Sequence, residues 1–126
     1  MIKPSTAILG GVPLSLVVLL VGACASSAPS ASARASAPTV ASTCQQVGAV
    51  LSDGPDPDAD PVGYAEAQIL PLRQISVSDQ ALRTAINQLA DAYQQFYASN
   101  GKSSDAKEAV AAASKKLNST CPGAAS

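Results

Sequence analysis

The chain has 126 residues, with no histidine, no tryptophan, one phenylalanine and three tyrosines. Without histidine, the common nucleophile and base pairs and the imidazole metal sites cannot be assembled. Charge is sparse too, at 13%, with eight basic residues against nine acidic ones, so the basic surface that nucleic acid requires is missing. No segment alternates apolar and polar residues with period two between turn signals, which excludes a sheet. What the chain does hold is aliphatic and small side chains at helical spacing, punctuated by proline-rich and aspartate-rich breaks.

The stretch from Leu14 to Cys24 is uncharged and mostly aliphatic, and it closes on Val21, Gly22 and Ala23 directly before Cys24. Lys3 is the one charge ahead of it and Arg34 the next after it, the layout of an n-region, an h-region and a cleavage site. A retained spanning helix fits less well. Gly10, Gly11 and Pro13 interrupt its front, and Ser, Ala and Pro follow Cys24 at once, where a span needs roughly 20 good apolar residues. Residues 21 to 24 resemble the lipobox of bacterial lipoproteins. The resemblance implies a signal peptide at 1–23, palmitate-type acyl chains on Cys24, and anchoring to the extracytoplasmic face of the cell membrane. Each buried methylene adds about 0.8 kcal/mol, so two or three chains hold where one would exchange.

With Cys24 lipidated, Cys44 and Cys121 are left as a pair outside the membrane, where disulfides persist. They bracket nearly the whole domain, and closing such a loop stabilises by roughly 4 kcal/mol in the chain-entropy model. Metal ligation by the two thiols lacks a histidine or a third cysteine to complete it.

Between Ala25 and Ser42, 15 of 18 residues are Ala, Ser or Pro. Such a segment cannot bury enough apolar area to offset its ordering entropy, so residues 24–42 read as a disordered tether. The domain expected at 43–122 then has about 80 residues and room for one small core, followed by a flexible tail at 123–126. Thr43 and Gln46 have the spacing of a capping box for a first helix carrying Cys44, Val47 and Leu51 on one face. Asp53, Gly54 and Pro55 stop it, and the loop from Asp53 to Pro61 holds four aspartates and three prolines in nine residues. Asp60 and Pro61 are cap and first residue of a second helix with the stripe Val62, Ala65, Ile69 and Leu72. Pro71 is expected to kink or split that helix at Leu70.

A third helix, with Ser78 as its cap, carries Leu82, Ala85, Ile86, Leu89, Tyr93, Phe96 and Tyr97 on one face and ends at Asn100 and Gly101. The fourth opens at Ser104 or Asp105, the latter pairing with Glu108, and runs to about Thr120. Its inward stripe is Ala106, Ala109, Val110, Ala113 and Leu117, with Cys121 next in phase. The expected fold class is therefore all-α: a small antiparallel up-down four-helix bundle closed by one disulfide, preceded by signal peptide and disordered linker. In that topology the start of the first helix and the end of the fourth share one end of the bundle, where Cys44 and Cys121 have to meet.

Few groups could carry chemistry. Asp56, Asp58 and Asp60 alternate as the oxygen ligands of calcium loops do, but Pro61 replaces the turn glycine and Ala67 the bidentate glutamate. Tyr64, Tyr93 and Tyr97 could line a small-molecule pocket or ligate haem iron, although packed rings with bonded hydroxyls account for them more simply. Asn118, Ser119 and Thr120 spell a glycosylation acceptor, which a bacterial lipobox discounts. No catalytic residues are expected, no cofactor and no enzymatic activity.

Taken whole, the lipobox, the Ala/Ser/Pro tether and a short helical domain framed by two cysteines resemble the small envelope lipoproteins of high-GC Gram-positive bacteria such as actinobacteria. The leading expectation is a membrane-anchored surface lipoprotein that acts as a non-catalytic interaction module. Its partner would be an envelope protein or a cell-wall polymer, met by the loop surface of Asp53, Asp56 and Asp58. The alternative is a carrier of a small apolar ligand or metal within the helical bundle.

Overall fold

A computed structural model of the protein describes residues 36–125. The expected signal peptide, the lipidation site Cys24 and the tether as far as residue 35 lie outside the described residues. Four helices follow one another and pack in sequence: α1 (Val40–Leu51), α2 (Pro61–Gln74), α3 (Gln80–Ala98) and α4 (Ser104–Thr120). Among the described residues no helix is long and apolar enough to cross a membrane.

The centre of the fold is α3, which packs extensively against both α2 and α4. Leu82, Ile86 and Leu89 are fully buried along it, and Leu72 from α2 and Leu117 from α4 close over them. Alanines at 85, 90 and 92 are buried too, and their small side chains let the neighbouring helices approach closely. By contrast α1 packs thinly, touching α2 far less than α2 touches α3. Polar anchors supplement its apolar contacts. The Tyr64 hydroxyl donates to the Leu51 carbonyl at 2.7 Å, and Gln68 Nε2 donates to the Asp53 carbonyl at 2.6 Å. Gln68 is buried in the stripe where the sequence suggested Ile69, because the unpaired carbonyl of the chain leaving α1 needs a donor there.

The cap differs from expectation by four residues at α1 and by one at α3, while α4 opens at Ser104 as expected. The capping box of α1 is Thr39 with Ser42: Thr39 Oγ1 accepts from Ser42 N at 3.1 Å and Ser42 Oγ accepts from Thr39 N at 3.0 Å. Thr43 is instead buried inside the helix, so the last residues of the expected tether, from Val40 to Ser42, are helical. Alanine and serine offer no barrier to upstream extension, and a good cap stands ready beside Pro38. For α3 the cap is Asp79, which accepts from Leu82 N at 2.7 Å; Ser78 Oγ donates to the Pro38 carbonyl at 2.8 Å. For α4 it is Ser103, accepting from Ala106 N at 3.2 Å, with Asp105 in the first turn.

The other boundaries follow the sequence closely. Asp60 caps α2 by accepting from Gly63 N at 2.9 Å, with Pro61 as first helical residue. Pro71 does not split the helix, which continues to Gln74. Pro71 and Ala67, whose carbonyl loses its usual partner, are both exposed, so water can replace the missing bond. At the end of α3, Gly101 N donates to the Phe96 carbonyl and Asn100 N to the Tyr97 carbonyl, with both residues at positive φ. This is the Schellman arrangement.

The parity argument holds at both ends. Cys44 and Cys121 are bonded with their Cα atoms 5.3 Å apart, and the α2–α3 turn meets the start of α1 through the bond from Ser78 to Pro38. At the other end the α3–α4 turn lies against α2, since a Cβ on Gly101 would come within 3.1 Å of Val62 Cγ2. The C-terminal residues depart from the expected flexible tail. After Cys121 the chain reverses through Gly123, at φ 79°, and Asn118 binds Ala125 at both backbone groups. Ala124 and Ala125 are half-buried as a result.

Candidate functional site

Because α1 packs thinly and the C-terminal residues fold back, a cleft opens between them and the α2–α3 face. Its wider lobe, ≈ 370 Å³, lies between Gly48, Leu51 and Ser52 on one side and Gly123, Ala124 and Ala125 on the other. A neighbouring apolar lobe, ≈ 220 Å³, lies on the side of α4 and is lined by Pro61, Ala65, Phe96 and Val110. Pro57, Tyr64 and Tyr93 belong to both lobes and form the shared floor and rim. Three of the four aromatic residues in the chain therefore face one opening.

Each element contributes for a local reason. Tyr64 stands one turn into α2 and is fixed by its bond to Leu51, while its ring meets Tyr93 edge-on, with centroids 5.8 Å apart and planes at 85°. An edge-to-face pair of this kind adds about 0.5–1.5 kcal/mol beyond burial. Tyr93 is in phase with Ile86 and Leu89 and is 7% exposed. Burial, and then the Tyr64 side chain beside it, push its hydroxyl well above the ordinary range, so it remains a neutral phenol. No charged side chain lines either lobe. The chemistry on offer is aromatic rings, proline methylenes, alanine methyls and neutral hydroxyls, which suits binding and not proton transfer.

The acidic loop borders this cleft through Pro57, which Asp56 and Asp58 flank in the chain. Its carboxylates already organise backbone. Asp53 Oδ1 accepts from Gly54 N, Asp56 Oδ1 accepts from Asp58 N at 2.8 Å, and Asp60 caps α2. Among the described residues no three cysteine, aspartate or glutamate side chains gather as a metal site, so Asp56, Asp58 and Asp60 are not brought together for calcium. The third tyrosine, Tyr97, stands apart. It is 42% exposed, and a hydrogen bond to the Glu66 carboxylate raises its pKa.

Sequence reasoning had singled out Tyr64 and Tyr93 but missed Phe96, Pro57 and the Gly123–Ala125 wall as partners. A glycine directly after Pro122 was a signal for chain reversal; nothing local showed that the reversed segment would reach α1. A second opening, ≈ 400 Å³, runs between α3 and α4 and is lined by Ala109, Ala112 and Ala113 with Asp91 and Lys116. It is a shallow groove of small side chains with no aromatic surface. Comparison of the chain with protein families, curated proteins and solved structures found no match.

Proposed function

We propose that the protein is a lipid-anchored surface lipoprotein that acts as a non-catalytic interaction module on the extracytoplasmic face of the cell membrane. The observation that carries this reading is the cleft shared by Pro57, Tyr64 and Tyr93: aromatic, free of charged lining side chains, and joined to an exposed acidic loop. Aromatic recognition surfaces of this composition anchor partners through large rigid contacts. The Cys44–Cys121 disulfide supports an oxidising compartment, and the lipobox supplies the anchor. The partner is an envelope protein or a cell-wall polymer.

One observation favours the second reading, a carrier of a small apolar ligand. The lobe beside Phe96 is almost wholly apolar, and the adjoining, more polar lobe of ≈ 370 Å³ is in the size range of small-molecule sites, which begins at about 300 Å³. Nothing comparable favours a metal cargo.

The test places a photo-crosslinking side chain at Pro57 in cells, with the exposed α4 position Ala111 as control. A partner captured from Pro57 and not from Ala111 supports the module, whereas a small adduct alone supports the carrier. Equal capture from both positions argues against the cleft as the recognition element. In parallel, Cys24→Ser is expected to release the protein from membranes or leave an unprocessed precursor. A normally processed Cys24→Ser product that stays in the membrane fraction would refute the lipid anchor.

A further inference from the structure

We propose that the apolar lobe beside Tyr64, Tyr93 and Phe96 seats an organic cation, a tertiary or quaternary ammonium group carrying short alkyl substituents. This rests on the binding-module reading and names the chemistry that the same site recognises.

Charge and lining argue together. From Val40 to Leu72, the segment that forms α1, the loop and most of α2, the chain has five acidic side chains and no basic one. Pro57 and Pro61 of the lobe each adjoin aspartates: Asp56 and Asp58 on either side of the first, Asp60 before the second. The lobe thus adjoins a negatively charged stretch of chain, while its own lining offers Tyr64, Tyr93 and Phe96 and no carboxylate. An inorganic cation would need six or more oxygen ligands, which the lobe lacks. A primary ammonium has three N–H donors that need acceptors. An alkylated ammonium needs few or none; it is weakly hydrated, fills an apolar lobe of ≈ 220 Å³, and is attracted to the faces of aromatic rings. An anion would meet that negative stretch with no compensating basic lining, and a neutral apolar group would gain nothing from it.

The experiment compares choline with 3,3-dimethylbutan-1-ol, which has the same shape with carbon in place of the charged nitrogen. Both are titrated by calorimetry and by saturation-transfer NMR into the full chain held in a maltoside detergent, which carries no ammonium group. Tyrosine near-UV absorbance serves as a local readout, because the chain has no tryptophan. Choline is expected to bind saturably and about tenfold more tightly than the alcohol, the scale of a desolvated cation–π contact. Phe96→Leu, which keeps an apolar half-buried side chain, should lower that preference, and Asp56→Asn with Asp58→Asn should weaken choline while leaving the alcohol unchanged. Equal affinity for the two compounds overturns the proposal, leaving a cleft for neutral groups and the module reading intact. Absence of saturable choline binding overturns it as well, and the crosslinking at Pro57 then decides the module reading separately.

Discussion

Asn118 holds the backbone of Ala125 at both of its polar groups, donating from Nδ2 to the carbonyl at 3.1 Å and accepting from the N–H at 2.9 Å. The bond pair turns the last residues into a wall of the cleft, since Ala124 and Ala125 line its wider lobe together with Leu51. A backbone bond from Ala124 N to the Cys121 carbonyl supports the same wall.

Asn118→Ala is therefore expected to release the segment after Pro122 with little effect on the core. Two part-buried hydrogen bonds are worth about 1–2 kcal/mol together. Amide exchange at Ala124 and Ala125 should accelerate strongly while that at Leu89 stays slow, and a carboxypeptidase should trim the variant faster. Unchanged exchange at Ala125 would mean that contacts other than the Asn118 side chain hold the wall.

Reduction of the disulfide is expected to cost far more. Cys44 and Cys121 are 77 residues apart, and a loop of that length contributes about 4 kcal/mol in the chain-entropy model. For a domain of this size that corresponds to a fall in Tm of about 15–30 °C. The loss should fall first on α1, which packs thinly and is anchored to α2 through Tyr64 at Leu51 and through Gln68 at Asp53 just beyond its end. Exchange in α1 should then report the reduced state before exchange in α3 does. Thiol titration of the native protein should find neither cysteine free, and a reduced protein melting at the same temperature would remove the entropic argument.

Much of this fold can be read from residue spacing, and the places where reading fails share a cause. Leu82, Ile86, Leu89 and Tyr93 recur at helical spacing, and Asp60 with Pro61 or Asn100 with Gly101 have only one sensible local conformation each. The helix starts at Thr39, Asp79 and Ser103 were less legible because several capping residues stand side by side. Thr39 competes with Thr43, Asp79 with Ser78, and Ser103 with Ser104 and Asp105. For α3 the choice accompanies a tertiary partner: with Asp79 as cap, Ser78 bonds Pro38, forty residues away in the chain. Gln68 stands outside the expected apolar stripe, and its partner, the Asp53 carbonyl, belongs to a loop whose path no local pattern specifies. The cleft was hidden for the same reason. It exists because α1 packs thinly and Ala124 and Ala125 fold back, and both are long-range outcomes.

Tyr93 gives the fold a specific alkaline limit. Its folded pKa is raised, by burial first and by Tyr64 second, above the unfolded value of about 10. Above that value the folded protein binds the phenolic proton more tightly than the unfolded chain, so unfolding is favoured as pH rises. The contribution is fully present below about pH 10 and is lost as pH climbs through the folded value. Urea midpoints for wild type should fall beyond pH 10, and Tyr93→Phe should flatten that limb. A variant that declines in parallel with wild type would place the alkaline sensitivity elsewhere.

The last prediction concerns how the acidic loop is held beside the cleft. Asp60 ends that loop and caps α2 through Gly63 N, and a Cβ at position 63 would lie only 2.2 Å from Asp60 Oδ2. Gly63→Ala must therefore displace the capping carboxylate, even though alanine is the better helix former by about 1 kcal/mol. Asp60→Ala removes the same cap directly, at a typical cost of about 1 kcal/mol. Once Asp60 is gone, alanine at 63 has nothing to strike and should recover its helix propensity. Denaturant unfolding should consequently find Gly63→Ala neutral or destabilising in the natural background but stabilising in the Asp60→Ala background. A change of sign between the two backgrounds is the signature of one shared atom position. If Gly63→Ala stabilises equally in both, the Asp60 side chain moves aside at no cost, and the cap is not what sets Pro57 beside Tyr64.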